Sequence, residues 1–226
     1  MVGTVVLIHG TSVVIPVMEK TVREVDREIE ILHILDEPLL FDLLHVGYIT
    51  PDIQWRFTQL VVEGARVSPR LILVTGSSFG PCVDVAQAMV SVPVIKVDER
   101  MATEAVAYGT ELLVVATEQT TVAPTRMLLE RKAKVLGKEV RVHTLLCEGA
   151  HSLLRANQAD EHDRIVLDQI RRQELAGIDA IVLAQVSTGR VQEQVTTLTG
   201  KKVFSSPSMV SNALKECLFY AKPKTV

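Results

Sequence analysis

Short, unbroken runs of aliphatic, mostly β-branched residues constrain this chain more than any other feature. Val5-Val6-Leu7-Ile8 and Leu71-Ile72-Leu73-Val74 show no alternation of apolar and polar residues. Strands of that kind need cover on both faces, which an α/β fold with parallel strands provides, whereas half-exposed antiparallel strands alternate. The core must be aliphatic, because aromatic residues make up 4% of the 226-residue chain while hydrophobic residues reach 47%. With only 23% charged residues, the chain has the apolar content to fold around a sizeable core.

Such runs recur, each followed by a segment of helical periodicity. The predicted strands are Thr4–His9, Glu30–Leu35, Arg70–Thr75, Pro93–Val97, Glu111–Ala116, Glu139–Leu146, Asp179–Ala184 and Lys202–Ser205. Helices are predicted over Pro16–Ile29, Pro51–Arg66, Pro81–Val90, Asp98–Tyr108, Val122–Leu136, Arg155–Leu175, Gly189–Leu198 and Pro207–Tyr220. Pro16, Pro51, Pro81 and Pro207 fall near helix starts, where a missing N–H costs nothing.

The chain also repeats itself. Val5-Val6-Leu7-Ile8-His9-Gly10-Thr11-Ser12 resembles Leu113-Val114-Val115-Ala116-Thr117-Glu118-Gln119-Thr120, each with a proline beyond, Pro16 and Pro124. Leu71-Ile72-Leu73-Val74-Thr75-Gly76-Ser77-Ser78 parallels Ile181-Val182-Leu183-Ala184-Gln185-Val186-Ser187-Thr188 in the same order. The expected architecture is therefore α/β, with two pseudo-symmetric lobes, each a mainly parallel sheet flanked by helices, and a cleft between them. Residues 1–97 would form the first lobe, joined by a returning C-terminal segment of about 205–226, and residues 98–204 the second.

Charge and cysteine usage narrow the function. The 24 Lys and Arg against 27 Asp and Glu give a formal net charge of −3, which argues against a nucleic-acid partner. Cys82, Cys147 and Cys217 have no C-x-x-C spacing, arguing against a disulfide framework and a zinc site and for a reducing cytoplasm. The N-terminus lacks a basic n-region and no apolar stretch reaches the roughly 18 to 20 residues that span a bilayer, so neither secretion nor a membrane partner is expected.

In open parallel sheets, ligands bind beyond the carboxyl ends of strands. Four such ends carry small polar residues: His9-Gly10-Thr11-Ser12, Thr75-Gly76-Ser77-Ser78, Thr117-Glu118-Gln119-Thr120-Thr121 and Gln185-Val186-Ser187-Thr188-Gly189. Two readings stay open: ordinary helix N-caps, or hydroxyls and free N–H groups that together hold a small anion. Gly76-Ser77-Ser78-Phe79-Gly80 has neither the spacing of a dinucleotide fingerprint nor the lysine of a phosphate loop, which disfavours a nucleotide cofactor.

Four motifs in order, Thr75-Gly76-Ser77-Ser78-Phe79-Gly80-Pro81, Val92-Pro93-Val94-Ile95-Lys96-Val97-Asp98-Glu99-Arg100-Met101, Ala116-Thr117-Glu118-Gln119-Thr120-Thr121 with Pro124-Thr125, and Val182-Leu183-Ala184-Gln185-Val186-Ser187, together resemble the aspartate/glutamate/hydantoin racemase superfamily. The resemblance runs from about Val5 to Pro207. It implies an interlobe active site, no cofactor, a small-molecule carboxylate substrate and frequently a dimer, so a homo-oligomer is expected.

The same resemblance implies two cysteines on opposite faces of the substrate α-carbon, one removing a proton and the other supplying one. An unactivated α-hydrogen is a very weak acid, so inversion needs a base, an acid and strong support for the carboxylate. The first cysteine position matches Gly76, and the second matches Gln185, or Val186 by the internal repeat. No thiol stands at any of them. Since each positioned acid or base contributes about 10²- to 10⁴-fold, ordinary two-thiol racemisation is not expected. Gly76-Ser77-Ser78 also resembles arylmalonate decarboxylases, in which hydroxyls stabilise an enediolate, although those enzymes keep the second cysteine.

The remaining acid or base candidates are His9 and Glu118. Thr11, Ser12, Gly76, Ser77, Ser78, Thr117, Thr120, Thr121, Gln185, Val186 and Ser187 are the candidate substrate-binding residues, and no metal ligands are assigned. Cys82 and Cys217 read as packing, Cys147 with His151 as a lesser Cys–His candidate, Asp98-Glu99 as a helix cap, and Trp55 as an anchor of lobe or dimer packing. His143, His162 with Asp163, and Arg171-Arg172 read as surface or core residues. The expected function is a cofactor-independent, racemase-like isomerase acting at the α-carbon of a small carboxylate. A decarboxylase or other lyase, and a non-catalytic carboxylate binder, are the alternatives.

Overall fold

The computed structural model describes residues 3–220, with side chains to Leu218. The proposed C-terminal return beyond Tyr220 lies outside the described residues. Strand β1 (Thr4–His9) leads through a short 3-10 turn (Ser12–Val14) into α1 (Ile15–Val25), followed by β2 (Glu30–Leu35), α2 (Glu37–Val46) and α3 (Pro51–Ala65). Then come β3 (Leu71–Val74), a 3-10 turn (Ser77–Phe79), α4 (Gly80–Gln87), β4 (Val94–Lys96) and α5 (Glu99–Tyr108). The second half contains β5 (Glu111–Ala116), α6 (Gln119–Val135), β6 (Arg141–Leu146), α7 (Ala150–Arg155) and α8 (Ala159–Arg171). It closes with β7 (Ala180–Leu183), a 3-10 turn (Ser187–Val191), α9 (Gln192–Thr199), β8 (Lys202–Ser205) and α10 (Ser206–Lys215), which runs into a π-helical turn, Glu216–Tyr220.

The strands form two four-stranded sheets ordered β2-β1-β3-β4 and β6-β5-β7-β8, and every pairing is parallel. The two orders are the same with strand numbers advanced by four, so β1 corresponds to β5 and β3 to β7, the pairing seen in the sequence repeat. Each central strand divides its side chains between two cores, as period-two geometry requires. Val6 and Ile8 face α2, α3 and α4, while Val5 and Leu7 face α1 and α10. In the second sheet Leu112, Val114 and Ala116 face α5 and α6, while Leu113 and Val115 face α8 and α9. Burial on both sides is why the runs do not alternate.

An apolar contact helps tie the lobes. Val186, from the loop after β7, is 3% exposed and packs with Val14, Met18 and Val97 of the first lobe. On the far side α10 packs against α1 and α5, with Val210 and Leu214 in the same cluster.

Several expectations need correction. The predicted helix Arg155–Leu175 is two helices, α7 and α8, interrupted at Asn157, whose φ of 60° is left-handed. Helix α6 starts three residues earlier than expected and carries Pro124 inside it. Helix α2 was not anticipated, although Asp36 Oδ1 accepts from Leu39 N–H at 2.8 Å, Pro38 sits in its first turn and Gly47 ends it at φ 83°. Asp98 precedes α5 but makes no side-chain capping bond. Trp55 is 62% exposed, so it anchors no packing within the lobe. Among the described residues no helix is long and apolar enough to cross a membrane.

Candidate active site

The carboxyl ends of β1, β3, β5 and β7 converge on an interlobe cavity of about 50 Å3. The first lobe contributes Gly10, Thr11 and Val14 after β1, and Thr75 to Phe79 after β3. Leu40 and Leu44 of α2 add an apolar wall. From the second lobe come Glu118 and Thr121 after β5, His151 in α7, and Gln185, Val186 and Ser187 after β7. Most of the sequence-selected candidates therefore meet in one place. Among the described residues, no group of three or more His, Cys, Asp or Glu could hold a metal ion.

Four candidates lie behind or beside the cavity wall. Ser12 is exposed, and both its N–H and hydroxyl donate to Glu37 Oε1, at 2.9 and 2.8 Å, fastening the β1 loop to α2. Thr120, like Thr121, is hydrogen-bonded to Ser78 Oγ, at 3.1 and 3.2 Å, so three hydroxyls bridge the lobes. Thr117 donates from its N–H and its hydroxyl to Gln185 Oε1, at 2.6 and 3.0 Å. Because a backbone N–H can only donate, this bond orients the Gln185 side chain and leaves its NH₂ group to donate. The amide has no titratable proton near neutral pH, so Gln185, which the resemblance aligns with the second cysteine, with Val186 as the alternative, can bind but not exchange protons.

His9 is the fourth. Thr75 Oγ1 donates to the Ile8 carbonyl at 3.1 Å, which leaves it to accept from His9 Nδ1–H at 2.9 Å. His9 Nε2 then accepts from Nδ1–H of exposed His33 at 3.0 Å. The result is a chain from solvent through two stacked imidazoles to Thr75, which touches the cavity.

Around Gly76, which the resemblance aligns with the first cysteine, space is tight. A Cβ on Gly76 would stand 3.1 Å from Phe79 Cδ2, and one on Gly10 would stand 2.8 Å from Phe79 Cε2. The Phe79 ring is 3% exposed and stacks on Phe57 with centroids 5.4 Å apart, which limits its freedom to move. Gly10 and Gly76 are the residues that accommodate it.

Sequence reasoning missed His151, Leu40, Leu44 and Phe79 as parts of this wall. His151 lies 4.0 Å from Glu118 and is 6% exposed, with neither ring nitrogen hydrogen-bonded. Burial, reinforced by Arg155 and His162, lowers its pKa to about 4, so it is neutral at pH 7. Burial pushes the Glu118 carboxyl upward, with Arg155 pulling the other way. Burial thus disfavours the charged form of both groups, a perturbation found at acid–base sites. The suggested Cys147–His151 pair is not formed: Cys147 is fully buried off the cavity and burial raises its thiol to about 11. Cys82 is buried, its thiol pushed up to about 12, and Cys217 is packed in the cluster under α1.

A double-wound, two-lobed α/β protein with a hydroxyl-lined interlobe pocket is the class defined by this fold and site. The family model of the Asp/Glu/hydantoin racemases matches residues 6–214, and the chain belongs to that family. A glutamate racemase isoform from Bacillus anthracis superposes with a TM-score of 0.71 at 16% identity, covering 95% of this chain and 81% of that one. Allantoin racemase from Klebsiella pneumoniae gives 0.69 at 16% identity, covering 96% and 87%. Aspartate racemase from Picrophilus torridus gives 0.67 at 12%, covering 94% and 93%. Comparison with curated proteins finds no match.

Two predictions follow from this geometry. The first concerns His9 and His151, both held near pKa 4 by burial, His9 with added repulsion from His33. The unfolded chain, with imidazoles near about 6.5, binds more protons than the folded one between about pH 6.5 and 4, so stability falls as pH drops through that window. Urea unfolding at pH 7 and pH 5 is expected to differ by on the order of 1–3 kcal/mol from these groups, and His151→Gln should reduce the difference. An unchanged slope in that variant would contradict the assignment. The second concerns Phe79: Gly76→Cys should cost about 1–3 kcal/mol alone and distinctly less in a Phe79→Ala background. Equal costs in both backgrounds would mean that Phe79 does not occupy the thiol space.

Proposed function

We propose that this protein is a cofactor-independent isomerase that moves a proton at the α-carbon of a small carboxylate without thiols. The observation that carries the reading is the placement of Glu118 and His151 on one wall and the Thr75–His9–His33 chain behind the other. The first N–H groups of the turn at Ser77 have no partners within it, and with the Ser77 and Ser187 hydroxyls and the Gln185 amide they would hold the carboxylate. That support stabilises the enediolate formed when the α-proton leaves. Glu118, as carboxylate, takes the proton, and neutral His151 beside it passes it on or returns it. On the opposite face, the Thr75 hydroxyl would turn from the Ile8 carbonyl to give its proton to the carbanion and regain one from His9 Nδ1–H, with His9 Nε2 replenished from His33. Arg155, whose charge is felt by Glu118, His151 and Glu37, stands at the mouth and favours anion entry.

A second reading has its own support. Glu118 and His151, the ionisable side chains that border the cavity, both come from the second lobe. Decarboxylation makes its carbanion by releasing carbon dioxide, so a proton donor on one face suffices.

Incubation of α-amino acids, hydantoins and substituted malonates in deuterated water separates the readings. Deuterium at the α-carbon of recovered substrate, with inversion, supports isomerisation, while carbon dioxide release transfers the support to decarboxylation. Glu118→Gln should lower turnover by about 10²- to 10⁴-fold and remove the acid-side fall in kcat/KM, which should lie above the usual carboxylate range because Glu118 is raised. Ligand stabilisation without turnover of any of these compounds would overturn both readings and leave a carboxylate binder.

A further inference from the structure

A second and larger cavity, of about 290 Å3, opens between the lobes behind the first, and the two share Ser77. One wall is the start of α4 with Asp84, together with Lys96 at the end of β4 and Asp98 just before α5. Its second-lobe wall is one face of α6: Pro124, Met127, Leu128 and Arg131. At roughly 10–15 Å3 per water position, it offers on the order of twenty such positions.

Two buried polar atoms on this wall lack partners. Asp98 is 2% exposed and its Oδ1 accepts no hydrogen bond, and Ser77, 6% exposed, has an unpartnered hydroxyl. Burial raises the Asp98 pKa, with the nearby Ser77 hydroxyl opposing it from outside hydrogen-bond geometry. An unsatisfied buried carboxyl is costly, and Asp98 does not offset this by capping α5. The donors on the wall have the opposite surplus. Lys96 Nζ, 9% exposed as a side chain, gives one bond to Asp84 Oδ1 at 2.9 Å and has two protons left. Arg131 reaches Asp84 Oδ2 at 3.0 Å and Glu99 Oε2 at 3.4 Å, with further N–H groups to spare.

Unfilled acceptors and spare cationic donors lining one cavity, beside Met127, Leu128 and Pro124, describe a receptor for one kind of molecule. We propose that this cavity is a second ligand site, separate from the candidate active site, for a small zwitterion bearing an ammonium and a carboxylate. The ammonium pairs with Asp98, and the carboxylate takes the free donors of Lys96 and Arg131. An apolar substituent lies on Met127 and Leu128. Because Lys96 is the last residue of β4 in the first sheet and Arg131 lies on α6 beside the second, the ligand bridges the lobes and favours the closed cleft.

The site is tested by binding, independently of turnover. Calorimetry on the full chain with L-alanine, L-leucine and L-glutamate is compared with propionate and ethylamine, each carrying one charge. The expectation is saturable binding of at least one amino acid, with propionate and ethylamine at least tenfold weaker. Arg131→Ala, at a partly exposed position, and Asp98→Asn, of the same shape, should each weaken that binding by tenfold or more, whereas Glu118→Gln should leave it unchanged. Amino-acid binding that is lost in Glu118→Gln but kept in Arg131→Ala and Asp98→Asn would place the molecule in the other cavity and overturn the proposal. Equal binding of propionate or ethylamine, or no binding at all, would overturn it too, without bearing on the chemistry assigned to Glu118.

Discussion

Burial of both faces of both sheets is the constraint on which the rest of the structure depends. Val5 to Ile8, Leu71 to Val74, Leu112 to Ala116 and Ala180 to Leu183 are nearly all fully enclosed. Polar chemistry has no place along such strands and is left to their ends. Parallel order puts the carboxyl ends of β1, β3, β5 and β7 on the side where the lobes meet, and Val186 and the Ser78–Thr120–Thr121 hydroxyls hold those ends together. The cavity is a consequence of the packing.

Within that cavity, small changes decide the chemistry. Phe79 fills the space beside Gly76, and Thr117 fixes the Gln185 amide as a donor. Both positions that would carry thiols by resemblance are thereby turned to shape and binding. The groups proposed to carry protons stand elsewhere, beyond the β5 and β6 ends and behind β3, and burial lowers the His151 pKa and raises that of Glu118.

Much of the fold was legible because its signals are local. Aliphatic runs fixed each strand to within about two residues, and the repeat paired β1 with β5 and β3 with β7 before any coordinates. Helix α2 escaped because Leu39, Leu40, Phe41, Leu43 and Leu44 present an apolar sequence with no single face. In the structure Leu39 and Leu43 enter the core, Leu40 and Leu44 line the cavity, and Phe41 is 61% exposed. For another reason His151, read from sequence as a partner of Cys147, was not placed beside Glu118. Its proximity to Glu118 arises from β6 lying beside β5, a contact between residues far apart in sequence that no motif encodes. Ser12 stands at a strand end as expected, yet its N–H and hydroxyl are spent on Glu37, while His9 reaches the cavity only through its bond to Thr75.

The most direct test of the account is a crystal structure with malonate bound. The account predicts one carboxylate against the Ser77 turn and the Gln185 amide, with the central carbon within about 3.5 Å of Glu118 or His151 and no cysteine sulfur within reach. Malonate held by Arg155 at the mouth, or with Cys82 or Cys147 against its central carbon, would contradict a thiol-free site at the junction of the four strand ends.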